Sequence, residues 1–137
     1  MKGGTTVERQ NVSSGSPYEP QIGISRAVRI DNIVAVSGTA PLGVDGKTVH
    51  VGDLYHQTER CLEIIVEAVI KAGARKEDII RTRVYLTDIS QWQDAAQAHG
   101  EFFSEIRPAC TFLQVSRFVQ PDWLVEVEAD CVLLGST

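Results

Sequence analysis

The sequence predicts an α+β domain in which two amphipathic helices lie on one face of a single mixed β-sheet. Three observations carry this. Residues 125–133 alternate strictly, with Val125, Val127, Ala129, Cys131 and Leu133 on one side and Glu126, Glu128 and Asp130 on the other, the signature of a half-buried strand. Leu54, Thr58, Cys61, Leu62, Ile65, Val66, Val69 and Ala72 recur at spacings of three and four, the broad apolar face of a helix that covers a sheet. The elements follow one another as strand, hairpin, helix, strand, helix and two strands, an order that interleaves one sheet with two covering helices.

Residues 1–12 read as a disordered start (1–8) and a short first strand (9–12), and residues 13–137 as one domain. Ser13-Ser14-Gly15-Ser16-Pro17 is turn chemistry, and Tyr18 and Pro20 follow it in a loop. Tyr18 is either a lid over a site or a plug at the end of the core. Strands over 26–30 and 33–37 flank Asp31-Asn32, residues suited to a two-residue hairpin turn. Gly38 ends the second of these strands, where a missing side chain lets backbone and ligand approach or simply allows a bend.

Asp53 is a suitable N-cap for a helix to about residue 72, with Gly73 as its C-terminal cap. A strand over 79–87 puts Ile80, Thr82, Val84 and Leu86 on its inner face and Arg81, Arg83 and Tyr85 on its outer face. The second helix is capped by Ser90 and runs to about residue 106, turning Trp92, Ala95, Ala96, His99, Phe102 and Phe103 inward. Arg107-Pro108 stops it, because the residue before proline is driven from helical angles. Strand runs over 110–118 and 124–134 complete the chain. The outer sheet face is expected to mix Arg81, Arg83, Glu126 and Glu128 with apolar residues such as Phe112 and Phe118, a composition suited to self-association.

A length of 137 residues suits one domain with a real core, and 43% hydrophobic with 23% charged residues is ordinary for a globular chain. A formal net charge of −5, with no run of Lys or Arg longer than two, argues against a nucleic-acid surface. Nothing approaches the roughly 18 consecutive apolar residues of a membrane span, and no signal-peptide pattern opens the chain, so a cytoplasmic location is expected. Cys61, Cys110 and Cys131 are odd in number and far apart, against a disulfide framework. His50, His56 and His99 show no metal-ligand spacing, and neither metal nor cofactor is expected.

Residues 34–41 (VAVSGTAP), 81–88 (RTRVYLTD) and 124–129 (LVEVEA), in that order, resemble the RidA/YjgF family over about residues 16–134. The resemblance implies a chorismate-mutase-like sandwich assembled as a homotrimer, with a small-molecule cleft at each subunit interface. It further implies hydrolysis of reactive enamines or imines to 2-keto acids and ammonia. Such a site needs a cation for the substrate carboxylate and an acid to position water. By the resemblance, the water-ordering acid is Glu126, the N-terminal aromatic is Tyr18 and the strand-end glycine is Gly38. The substrate-gripping arginine, two residues after a proline, falls on Cys110.

That substitution makes ordinary 2-imino acids doubtful substrates. Cys110 is open to three readings: a nucleophile, a neutral cleft wall, or an inert core thiol. Arg107, three residues earlier, either takes over the anchor or serves the helix end. Glu126 is open to two: a water-ordering carboxylate, or one half of a cross-strand ion pair with Arg81 or Arg83 worth about 0.2–1 kcal/mol. The expected function is therefore a hydrolytic deaminase of an altered enamine or imine. The alternative is a non-catalytic small-molecule-binding or chaperone-like trimer.

Overall fold

A computed structural model describes residues 7–134. The expected disordered start therefore lies, for residues 1–6, outside the described residues. Six strands form one sheet: β1 (Arg9–Val12), β2 (Ala27–Ile30), β3 (Ile33–Thr39), β4 (Ile79–Leu86), β5 (Ala109–Gln114) and β6 (Val125–Val132). Their spatial order is β1-β2-β3-β6-β4-β5. All neighbours are antiparallel except β4 and β5, which run parallel and are joined by a crossover helix. The helices are α1 (Tyr18–Ile22), α2 (Leu54–Lys71) and α3 (Trp92–Phe103). The sheet is mixed, as expected, but carries three helices rather than two. The extra one, α1, occupies the stretch read as a loop around Tyr18 and ends at Gly23, whose φ of 75° is left-handed.

The periodic elements fold as their patterns require. On β6, Val125, Val127, Ala129 and Cys131 are fully buried, and α2 covers them with Leu62, Ile65 and Val69. Alanine at a buried Leu or Ile of this kind costs about 2–5 kcal/mol. The Asp53 side chain accepts from the His56 amide at 3.1 Å and from His56 Nδ1 at 2.7 Å, which caps α2. Gly73 follows the helix at φ 88° and donates its amide to Ile70 O at 2.9 Å. Asp31 turns the β2–β3 hairpin at φ 56°, with Ile30 and Ile33 paired across it.

Several boundaries differ from the sequence expectation. The β4–β6 register slips between Ile79 and Arg81, so Ile79 is 2% exposed and Ile80 50%; the core residue is Ile79. Asp88, rather than Ser90, accepts from the Ser90 amide and opens a short 3₁₀ turn, Ile89–Gln91, ahead of α3. Strand β5 stops at Gln114, and residues 115–124 form a connection longer than the one expected over 119–123. Phe112 pairs with Val84 and packs edge-on to Trp92 and His99, so it faces the helices and not the outer face. Phe118 lies outside the strands.

Candidate functional site

The outer face of the sheet carries a charge ladder. Register places Arg81 opposite Asp130, Arg83 opposite Glu128, and Tyr85 opposite Glu126. Arg83 Nη1 lies 3.2 Å from Asp130 and 3.6 Å from Glu128, while Arg81 Nε lies 3.9 Å from Asp130. Tyr85 donates its hydroxyl diagonally to Glu128 at 2.5 Å, and that bond raises the pKa of the phenol. Both arginines and the tyrosine are thus engaged with Glu128 and Asp130. Glu126 makes no ion pair within 4 Å among the described residues, so the cross-strand pairing with Arg81 or Arg83 does not account for it.

Glu126 instead faces Gly38 and Arg26. Between Val36 and Thr39 the β3–β6 register shifts, and this bulge brings Gly38 so close that a β-carbon there would sit 2.9 Å from Glu126 Oε1. Arg26, one residue ahead of β2, reaches the same point: its Nη2 donates to the Gly38 carbonyl at 2.5 Å. Burial pushes the Glu126 carboxyl above its ordinary pKa; Arg26 opposes this in part, and Glu128 adds to it. Arg26 Nε is a buried donor with no hydrogen-bond partner among the described residues. Leaving such a group unmatched costs about 1–3 kcal/mol, a penalty that recurs at functional sites.

The second neighbour of Arg26 is Glu19 on α1, 6% exposed. It accepts from Ser13 Oγ at 2.8 Å, Ser14 Oγ at 2.5 Å and the Ser14 amide at 3.2 Å. Burial works to raise its pKa, but the Ser14 and Ser13 bonds and Arg26 together hold it below the ordinary value. Tyr18, the residue before it, is 67% exposed, so it does not plug the core. The sequence reading missed both Glu19 and Arg26. The one available signal was the pair of serines beside a lone glutamate in a turn, a donor set for a buried carboxylate.

Cys110 and Arg107 lie elsewhere. Cys110 pairs with Thr82, whose Oγ1 is 2.8 Å from the Nε2 of buried His99 on α3, so this position faces the helices. Glu126 faces the opposite side of the sheet. Within one chain the two candidate catalytic residues do not meet. Within one chain Cys110 is exposed, unlike buried Cys61 and Cys131. Burial of its sulfur raises the thiol pKa, partly offset by a hydrogen bond with Thr82, so it is held as a neutral thiol. Arg107 closes α3 in the left-handed region at φ 54°, donating its amide to Phe103 O at 2.8 Å. It sits at the Cys110 end, two residues before β5.

The family profile described as "Endoribonuclease L-PSP" matches residues 16–133. The chain belongs to this family, the YjgF/RidA family. Among its YjgF/RidA relatives is the 3-aminoacrylate deaminase RutC of Acinetobacter baylyi, 38% identical over 112 residues, which span 82% of this chain and 83% of that protein. An uncharacterised protein of Streptomyces coelicolor is 37% identical over 126 residues, 92% of this chain and 93% of that one. The crystal structure of Rv2704 from Mycobacterium tuberculosis, described as a member of the YjgF/YER057c/UK114 family, shares 40% identity and a TM-score of 0.83. It covers 92% of this chain and 100% of its own.

Proposed function

We propose that this YjgF/RidA protein is a hydrolytic deaminase of a small enamine or imine. In this reading it acts as a homotrimer of the chorismate-mutase-like type, located in the cytoplasm. The observation that carries the reading is Glu126, half-buried, outside the Arg81–Arg83 ladder and turned toward the bare Gly38 backbone. A carboxyl raised by burial yet still opposed by a cation is suited to taking and returning a proton. In this reading the cleft joins the Glu126 side of one subunit to the Cys110 edge of the next, which reconciles their placement on opposite sides of the sheet within one chain. Tyr18 and Arg107 lie at its margins.

The chemistry balances without a cofactor. An enamine takes a proton on carbon to become an iminium ion. Water adds to the iminium carbon as Glu126 accepts one of its protons, and Glu126 then returns that proton to the nitrogen of the carbinolamine. Ammonia leaves as the C–N bond breaks and the hydroxyl proton passes to solvent, leaving a carbonyl product. Cys110 contributes a neutral wall where a 2-imino acid would need a cation. The substrate named for the Acinetobacter relative, 3-aminoacrylate, is an enamine with its carboxylate one carbon farther from the C–N carbon than in a 2-imino acid. That spacing supports substrates of the 3-amino-2-enoate kind. No group of three or more metal-ligating side chains occurs, and no helix is long and apolar enough to cross a membrane, among the described residues.

The test is the decay of 3-aminoacrylate and of 2-iminobutanoate, each generated in situ, with and without the protein. Acceleration of the first, lost by about 10²–10⁴-fold in Glu126→Gln with ligand binding retained, is the expected result. A folded trimer that accelerates neither but binds such a compound would replace the deaminase with a binding protein. A monomer by light scattering would remove the shared cleft.

A further inference from the structure

We propose that Arg26 is the positioning residue of this site: it fastens the Gly38 bulge that Glu126 faces and supplies the positive charge beside the Glu126 carboxylate. The proposal rests on the deaminase reading for the reaction, but the relation between Arg26 and Glu126 can be measured without turnover.

The backbone of Arg26 is pinned on both sides. Its amide donates to Val12 O at 2.8 Å, and its carbonyl accepts from the Ser37 amide at 3.0 Å. From this fixed base Nη2 reaches the Gly38 carbonyl at 2.5 Å. The guanidinium lies in the field of both Glu19 and Glu126, and ion-pairs within 4 Å with neither among the described residues. It therefore acts on Glu126 through space and through the bulge, leaving the carboxylate oxygens free to meet a ligand.

The groups around Glu126 leave Arg26 as the decisive charge. On its own strand Glu128 repels it, but Glu128 is bound by Tyr85 and Arg83. Tyr85, opposite in register, has given its hydroxyl away. From β3, Gly38 faces it and brings no charge. From α2, buried Cys61 is kept a neutral thiol by desolvation. Glu19 competes for the same cation and is fixed by Ser13 and Ser14. A guanidinium whose only task was to cap the Gly38 carbonyl would be replaceable by any donor. One that keeps Glu126 charged is replaceable only by another cation.

Titration of the Glu126 side-chain carboxyl by ¹³C NMR, assigned by its loss in Glu126→Gln, tests this directly. Removing the cation in Arg26→Met should raise the Glu126 midpoint, and Arg26→Lys should leave it near that of the unmodified protein. Glu19→Gln, which removes the competing anion, should lower it. In the pH–rate profile the acid limb of kcat should move up in Arg26→Met, with activity regained at higher pH. A midpoint unmoved in folded Arg26→Met, or equally displaced in Arg26→Lys, would overturn the proposal. Should Arg26→Met fail to fold, a Glu126 midpoint unmoved or raised in Glu19→Gln would do the same. If the unmodified protein hydrolyses no imine, the deaminase reading falls, and the midpoints still decide the role of Arg26.

Discussion

Replacing Gly38 by alanine tests the site through a single carbon. The new β-carbon would stand 2.9 Å from Glu126 Oε1, whereas ordinary contact begins at 3.4 Å, so one of them must retreat by about half an ångström. Gly38 is not among the positive-φ residues, so alanine meets no backbone strain. Loss of glycine's freedom in the unfolded chain contributes about 0.4–1 kcal/mol of stability, which offsets part of the overpacking. The nearer group is the end of a flexible side chain, so the carboxylate should yield and the fold should stay. Net stability is expected within about 1 kcal/mol of the unmodified protein, a shift in melting temperature of roughly 2–5 °C. Turnover is more sensitive. A misplacement of 1 Å can cost about 10²-fold, so half that displacement should lower kcat about tenfold with KM little changed. Thermal melting and imine-decay kinetics on one preparation read both quantities. Unaltered kcat in the folded variant would refute the argument that Glu126 works from this position. A melting temperature lowered by more than about 10 °C would show that the backbone gives way instead.

Two further outcomes concern stability and pH. Burial lowers the His99 pKa from 6.5, so the unfolded chain takes up that proton first; the His99 contribution is present above about pH 6.5 and is lost as pH falls toward the lower folded value. Urea midpoints at pH 7.5, 6.5 and 5.5 should decline less steeply in His99→Gln, which keeps a partner for Thr82, and an identical decline would contradict this. Asp78, 3% exposed, accepts from the Arg75 amide at 2.9 Å and the Leu134 amide at 3.2 Å. Asp78→Ala should lose about 1–3 kcal/mol in urea unfolding, and a loss below about 0.5 kcal/mol would show that water replaces those bonds.

What could be read from the sequence was whatever depends on one element alone. The apolar faces of α2 and β6 are one-dimensional patterns, and burial follows them except at Val66 and Leu133, which are only partly buried. Ile80 was misplaced because a single-residue register slip reverses which side chain points inward. The three acids of β6 look equivalent in the sequence. Only the pairing with β4 assigns Arg81, Arg83 and Tyr85 to two of them and leaves Glu126 apart. Arg26 carried no local signal, since its partners arrive from α1, from the β3 bulge and from the last strand. Cys110 and Glu126 could be named, but their placement on opposite sides of the sheet rests on the parallel register of β5 against Thr82. Family resemblance supplied the residues, and the strand pairing supplied their separation.

The position of β6 between β3 and β4 also bears on how the chain acquires its fold during synthesis. Until residues 125–132 leave the ribosome, the β1–β2–β3 ribbon and the β4–α3–β5 unit have no strand to connect them. Each then presents an open edge, Val34 and Val36 on one and Thr82 and Val84 on the other. The last strand zips both edges at once, so sheet continuity, core closure and the delivery of Glu126 to Gly38 coincide in one late event. Nascent chains halted before Val125 should therefore be the species most in need of a chaperone.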